Sequence, residues 1–154
     1  MASRRDSSHM DLAFAEAEAA AERGEVPIGA VIVGADGHVL ASAGNRTREL
    51  NDPTAHAELL AIRAACAAQG SQRLSNADLY VTLEPCPMCA AAISFARVRR
   101  LYFGVSDPKG GAVENGTRYF SSAICHHAPE VYGGIDESRN QRLLQAFFKT
   151  LRDG

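Results

Sequence analysis

Residues 79–96 read LYVTLEPCPMCAAAISFA. Leu79 to Leu83 is an apolar run of strand length, and Pro87 to Ala96 reads as a helix with Pro87 in its first turn. The segment joining them, Pro85-Cys86-Pro87-Met88-Cys89, sets two thiols three positions apart at a helix start. Residues i and i+3 share a helix face, so both sulfurs can reach one ion. The positive end of the helix also favours the thiolate over the thiol. A strand that runs directly into a helix opening on a ligand pair is the unit from which an α/β sheet is built.

Working upstream, Asp52-Pro53-Thr54 reads as the start of another helix, with Thr54 its N-cap, running to a stop at Gly70. His56 and Glu58 lie at its beginning. Residues i and i+2 diverge on a mid-helix surface, so these two can serve one site only from a first turn that faces an open mouth. One imidazole and two thiols are a ligand set for zinc with an open fourth position, the arrangement of a catalytic rather than a structural site. His56, Cys86 and Cys89 are therefore the expected ligands of one zinc ion per chain. Glu58 is left free to move protons.

The remaining chain alternates. Met10, Ala13, Phe14, Ala17, Ala20 and Ala21 recur at helical spacing up to Gly24. Ile28–Val33 and His38–Gly44 read as a hairpin around Gly34-Ala35-Asp36-Gly37. Residues 45–53 form a polar loop. Leu101–Val105 is a fourth strand, Asp107–Gly116 a glycine-rich loop, and Val131 lies in a short fifth strand. Asp136–Arg152 is a terminal helix with Leu143, Leu144, Phe147 and Phe148 expected inward. Strands alternating with helices predict a mixed sheet covered on both faces.

The chain has 154 residues, 46% hydrophobic and 22% charged, which suits one domain with a real core. That domain is expected over residues 10–154, with residues 1–9 a disordered extension or a remnant of cloning. No apolar run approaches the roughly 20 residues that span a bilayer, and nothing in the polar, basic start resembles an export signal. The four cysteines do not read as a disulfide framework, so a reducing cytoplasm is the expected setting. The net charge of −2 is unevenly spread. Residues 1–96 carry 7 basic and 12 acidic side chains, whereas residues 97–154 carry 9 and 6. Arg97, Arg99, Arg100, Lys109, Arg118, Arg142, Lys149 and Arg152 are candidates for a phosphate-facing surface or for solvated helix faces.

Taken together, the residues quoted above resemble the bacterial tRNA-specific adenosine deaminase family of the cytidine-deaminase-like zinc deaminases. The His-x-Glu and Pro-Cys-x-x-Cys pair fits the whole superfamily of nucleobase deaminases. Glu25-Val26-Pro27-Ile28-Gly29-Ala30-Val31, Asp52 to Glu58, Leu79 to Cys89, Asp107-Pro108-Lys109 with Gly111-Ala112, and Leu143 to Phe148 narrow it to this branch. The likeness spans roughly residues 10 to 152. It implies a three-layer α/β/α sandwich around a mixed five-stranded sheet, a homodimer, and conversion of the wobble adenosine of a tRNA anticodon stem-loop to inosine. It implies Glu58 as proton shuttle and Asn45 as a hydrogen-bonding partner of the purine. The backbone amides of Ala57 and Cys86 would neighbour the attacking oxygen. Asp107, in the same loop as Lys109, would meet the flipped nucleotide, and Phe148 and Arg152 would line the anticodon path. His126 reads as a loop residue in contact with substrate. Val113-Glu114-Asn115-Gly116 stands where many relatives have Gly-Ser, and Cys125-His126-His127 replaces the more usual Asn-His.

Three rival readings share parts of this pattern. A free-base or nucleotide deaminase acting on guanine, cytosine or deoxycytidylate would keep the zinc site but need a closed pocket. A thioredoxin-like redox pair would leave Glu58 without a role. A zinc-stabilised binding module would need a fourth ligand, which only Cys125, His126 or His127 could supply, and again would have no need of Glu58.

Overall fold

A computed structural model describes residues 4–153, with side chains from residue 8 onward. The elements run α1 (Arg4–Glu22), β1 (Gly29–Val33), β2 (Val39–Gly44), α2 (Ala57–Gln69), β3 (Asp78–Leu83), α3 (Pro87–Phe95), β4 (Arg100–Val105), a short 3-10 turn (Tyr119–Ser121), β5 (Glu130–Tyr132) and α4 (Glu137–Asp153). The five strands form one sheet in the order β2-β1-β3-β4-β5. β1 is antiparallel to β2 and β3, whereas β3, β4 and β5 run parallel.

Strand periodicity separates the two faces of the sheet. Ala30, Ile32, Leu79, Val81, Leu101 and Phe103 point to one side and meet Ala61, Ala65 and Ile93 from α2 and α3. Val31, Val33, Tyr80 and Tyr102 point to the other and meet Met10 and Ala13 of α1. Helix α4 packs over β4 on that side and touches α1. The result is the α/β/α sandwich with a mixed sheet. α1 crosses the hairpin without an intervening side-chain layer: Gly29 and Gly44 are register partners. A Cβ on Gly29 would collide with the Ala13 carbonyl, and one on Gly44 would lie 2.8 Å from that of Glu16.

Helix α1 begins at Arg4, ahead of the expected Met10, because no proline or glycine interrupts residues 4–9. Of the extension expected over residues 1–9, residues 1–3 lie outside the described residues. Helix α2 begins at Ala57, with His56 and not Thr54 as its N-cap. The Asp52 carboxylate accepts hydrogen bonds from the Thr54 N–H at 2.8 Å and hydroxyl at 2.6 Å. This Asx turn holds the chain out of the helix for one more half-turn. Of the α4 residues expected inward, Leu144 is buried and Leu143 and Phe147 are half-buried, but Phe148 is 46% exposed. Its side chain faces the groove described below.

Candidate zinc site and substrate groove

Two helix N-termini meet at the C-terminal ends of β3 and β4, the edge at which open α/β sheets bind ligands. His56 caps α2 and Cys86 caps α3, both in extended conformation, and neither side chain makes the N-cap hydrogen bond. Each is thereby free to face the other. His56 Nδ1 lies 3.5 Å from Cys86 Sγ and 3.6 Å from Cys89 Sγ. A tetrahedral zinc with ordinary Zn–N and Zn–S bonds has an N···S edge of about 3.6 Å. All three ligand atoms lie within 4.8 Å of one another, and no further His, Cys, Asp or Glu joins this cluster among the described residues. The arrangement fits one zinc with three protein ligands. The possible fourth donors are held elsewhere. Cys125 Sγ contacts Ser94 Oγ at 3.5 Å, and the His127 ring pairs with the Val98 carbonyl at 2.8 Å.

The electrostatics suit a cation. A hydrogen bond from Cys89 is the main cause of the low Cys86 pKa of about 4, with burial opposing and His56 assisting. The Cys86 sulfur in turn pushes the Cys89 thiol up, and burial adds to this. Two thiolates this close need a dication between them. Glu58, in the first turn of α2, is 3% exposed, and its Oε1 has no hydrogen-bond partner. Burial raises its carboxyl to about 7, with the Cys86 charge adding to the effect and its own backbone N–H and His56 opposing it. A carboxyl poised there can both accept and release a proton near neutral pH.

His56, Glu58, Cys86, Ile28, Leu83, Glu84, Asp107 and Gly110 line a cavity of about 200 Å³. Leu83 and Asp107 also wall a larger groove of about 830 Å³, together with Val26, Lys109, Leu144, Phe148, Lys149 and Arg152. Asp107, Lys109, Phe148 and Arg152 are thus brought together next to the metal cluster. Asn45 follows β2, is 4% exposed, and donates from Nδ2 to Glu25 Oε1 at 3.4 Å and Thr47 Oγ1 at 3.2 Å. Its backbone N–H reaches the carbonyl of Ile28, a cavity-lining residue. Ala57 is buried as the first residue of α2.

His126 is not brought to the site. It is exposed and lines neither cavity, and its carbonyl accepts from Arg97 at 3.2 Å. Ser94 and Val98 pin its loop to the far end of α3. The candidate basic surface also divides. Arg99 pairs with Asp78 through two 3.0 Å bonds, and Arg100 with Glu130 at 2.8 Å, at the opposite edge of the sheet. Only Lys109, Lys149 and Arg152 of that set line the groove. Glu84 and Glu25 were missed. Both are buried carboxylates that accept backbone N–H groups from loops beside the site. Their only signal in the sequence is an acidic residue adjoining an apolar run.

Residues 3–105 match the cytidine and deoxycytidylate deaminase zinc-binding region. The tRNA-specific adenosine deaminase of Agrobacterium fabrum is 65% identical over 143 residues, 93% of each chain. That of Bacillus subtilis is 45% identical over 147 residues, covering 96% of this chain and 91% of its own. A solved structure from work on A-to-I editing by tRNA:A34 deaminases superposes with a TM-score of 0.87 at 66% identity, covering 89% of this chain and 99% of the other. Ligand geometry, fold and likeness along nearly the whole chain agree: this chain belongs to the tRNA-specific adenosine deaminase family of zinc-binding deaminases.

Proposed function

We propose that this protein hydrolytically deaminates adenosine to inosine at the wobble position of a tRNA anticodon stem-loop. The observation that carries the reading is the groove bearing Phe148, Lys109, Lys149 and Arg152, which shares Leu83 and Asp107 with the cavity lined by His56 and Cys86. A flipped base can enter the small cavity while its flanking backbone follows the cationic groove. A free-base deaminase would have no use for that groove.

His56, Cys86 and Cys89 would hold the zinc, which lowers the pKa of water from about 16 toward 7. Glu58 takes one proton from the attacking water and hands it to the ring nitrogen as the oxygen adds to the amino-bearing carbon; it then moves the remaining hydroxyl proton to the amine, so that the C–N bond breaks, ammonia leaves and the carbonyl of inosine forms. The N–H groups at the start of α2 and at Cys86 neighbour the developing charge. Asn45 reads the purine edge, Asp107 and Lys109 meet the flanking nucleotides, and Phe148 offers a surface for stacking. Incubating the protein with an anticodon stem-loop and, separately, with free adenine, guanine and cytosine tests this. Inosine and ammonia are expected from the stem-loop alone, and turnover of a free base instead would overturn it.

The same reading takes residues 10–154 as one deaminase domain, acting in the cytoplasm as a homodimer. Phe95 and Ile124 support the dimer, being 68% and 70% exposed on neighbouring elements joined by the Ser94–Cys125 contact. Sedimentation should give twice the chain mass, and a monomer at micromolar concentration would remove this part. Among the described residues, no helix is long and apolar enough to cross a membrane.

A further inference from the structure

Glu84 follows β3 at the entry to the ligand turn, two positions before Cys86, and is 2% exposed. Nothing in the deamination chemistry above uses it. Its Oε1 accepts from the Asp107 N–H at 2.9 Å, Asn115 Nδ2 at 2.7 Å and Ser106 Oγ at 3.4 Å. Its Oε2 accepts from the N–H groups of Val113 at 3.0 Å, Glu114 at 2.9 Å and Asn115 at 3.1 Å. Every one of these donors belongs to the segment 106–115, which has no regular secondary structure. Gly111 lies against the same carboxylate, and a Cβ there would come within 2.6 Å of Oε2. The loop is wound around one buried anion. The loop contacts at Val113 and Glu114 use backbone atoms, so the side chains there can differ from those of relatives without loosening it.

That loop supplies Asp107 and Gly110 to the small cavity and Asp107 and Lys109 to the groove. We propose that Glu84 is a positioning residue: its carboxylate ties the turn carrying Cys86 and Cys89 to the loop 106–115, and so preforms the wall against which the RNA is held. This rests on the stem-loop reading for the identity of the substrate, though not for the loop's dependence on Glu84.

A carboxylate suits the position because it presents acceptors on both oxygens. Glutamine keeps the shape but must turn an amide N–H toward one of the two sets of three donors. The test compares Glu84→Gln, Glu84→Asp and Asn115→Ala as full-length, zinc-loaded proteins. Kinetics on an anticodon stem-loop, zinc content, melting temperature and amide hydrogen exchange are measured for each. Glu84→Gln should raise KM about tenfold or more with a smaller change in kcat, because loop contacts to flanking nucleotides are lost while the proton relay remains. Zinc content should stay near one per chain, and exchange at Asp107, Val113, Glu114 and Asn115 should quicken. Glu84→Asp retains the charge and should recover part of both effects. Asn115→Ala removes one donor without stranding an anion and should fall between, which covers the case that Glu84→Gln does not fold.

Unchanged exchange at those amides overturns the proposal. So does a lowered melting temperature with unaltered KM per zinc-loaded molecule, which is what a purely structural anchor predicts. If the unsubstituted protein itself fails to turn over the stem-loop, the substrate reading has failed, and the exchange data alone decide whether Glu84 holds the loop.

Discussion

Glu58, proposed above as the proton shuttle, owes its properties to what surrounds it. The first turn of α2 buries it beside a sulfur-rich cluster, and burial pushes its carboxyl up to about 7; its Oε1 has no hydrogen-bond partner. Glu58→Gln preserves volume and the ligands but cannot carry the proton. Turnover should fall by more than about 10²–10⁴-fold, because the same group acts in several steps, with zinc content unchanged by metal analysis. Asn45 is a different case, since its amide already bonds to Glu25 and Thr47. Asn45→Ala should lose one base-edge bond, about 1–3 kcal/mol or roughly one to two decades in kcat/KM. Melting temperature and turnover on a stem-loop, measured together, separate recognition from turn stability. A lower melting point with unchanged turnover per folded molecule would remove Asn45 from the site.

At the scale of elements, the site depends on two helices that start with the wrong residues. N-caps are ordinarily Ser, Thr, Asp or Asn, and losing such a cap costs about 1 kcal/mol. His56 and Cys86 occupy the two positions, and neither side chain makes the capping hydrogen bond. This explains why Thr54 read as the cap: the capping rule weighs local helix stability, whereas these positions are spent on the metal. The strands and their alternation were legible because each depends on residues close in sequence, and the ligand triad because His56-x-Glu58 and Pro85-Cys86-x-x-Cys89 are each short motifs of diagnostic residue types. The role of Glu84 was not, since its partners lie more than twenty residues away and are mostly backbone N–H groups. Nor was the fate of Arg99 and Arg100, which hinges on Asp78 and Glu130 across the sheet. Loop 106–115 also makes an acid-sensitive element. Burial alone would raise the Glu84 carboxyl, but hydrogen bonds from Asp107, Val113, Asn115 and Glu114 hold it below its ordinary 4.5. A depressed carboxyl contributes stability that is complete above that ordinary value and lost as pH falls through the lower folded one. Thermal melts should therefore show a decline below pH 4.5 that is shallower in Glu84→Gln. On α4, reversing Lys149 and Arg152 to Glu should weaken stem-loop binding and flatten its salt dependence by up to about two phosphate contacts. Filter binding from low to high salt measures this, and an unchanged slope would detach α4 from the RNA.

For the molecule as a whole, one ion would join His56 at the start of α2 to Cys86 and Cys89, 30 and 33 positions on, at the start of α3. The stretch between them contains all of α2 and β3, the central strand of the sheet. Closing a loop of about 30 residues removes roughly 3–4 kcal/mol of chain entropy from an unfolded state that keeps the link. More generally, a ligand held only by the folded state stabilises it by about 1.4 kcal/mol for each tenfold excess over its dissociation constant. Treatment with a strong chelator should therefore lower the melting temperature by several degrees, and returned zinc should restore it. Cys89→Ala should melt at one temperature whether zinc is present or not. The ion required for deamination is thus also a clasp on the fold. A cell short of zinc would lose this protein twice over, first as a catalyst and then, as the unclasped chain opens more often, as a substrate for its proteases.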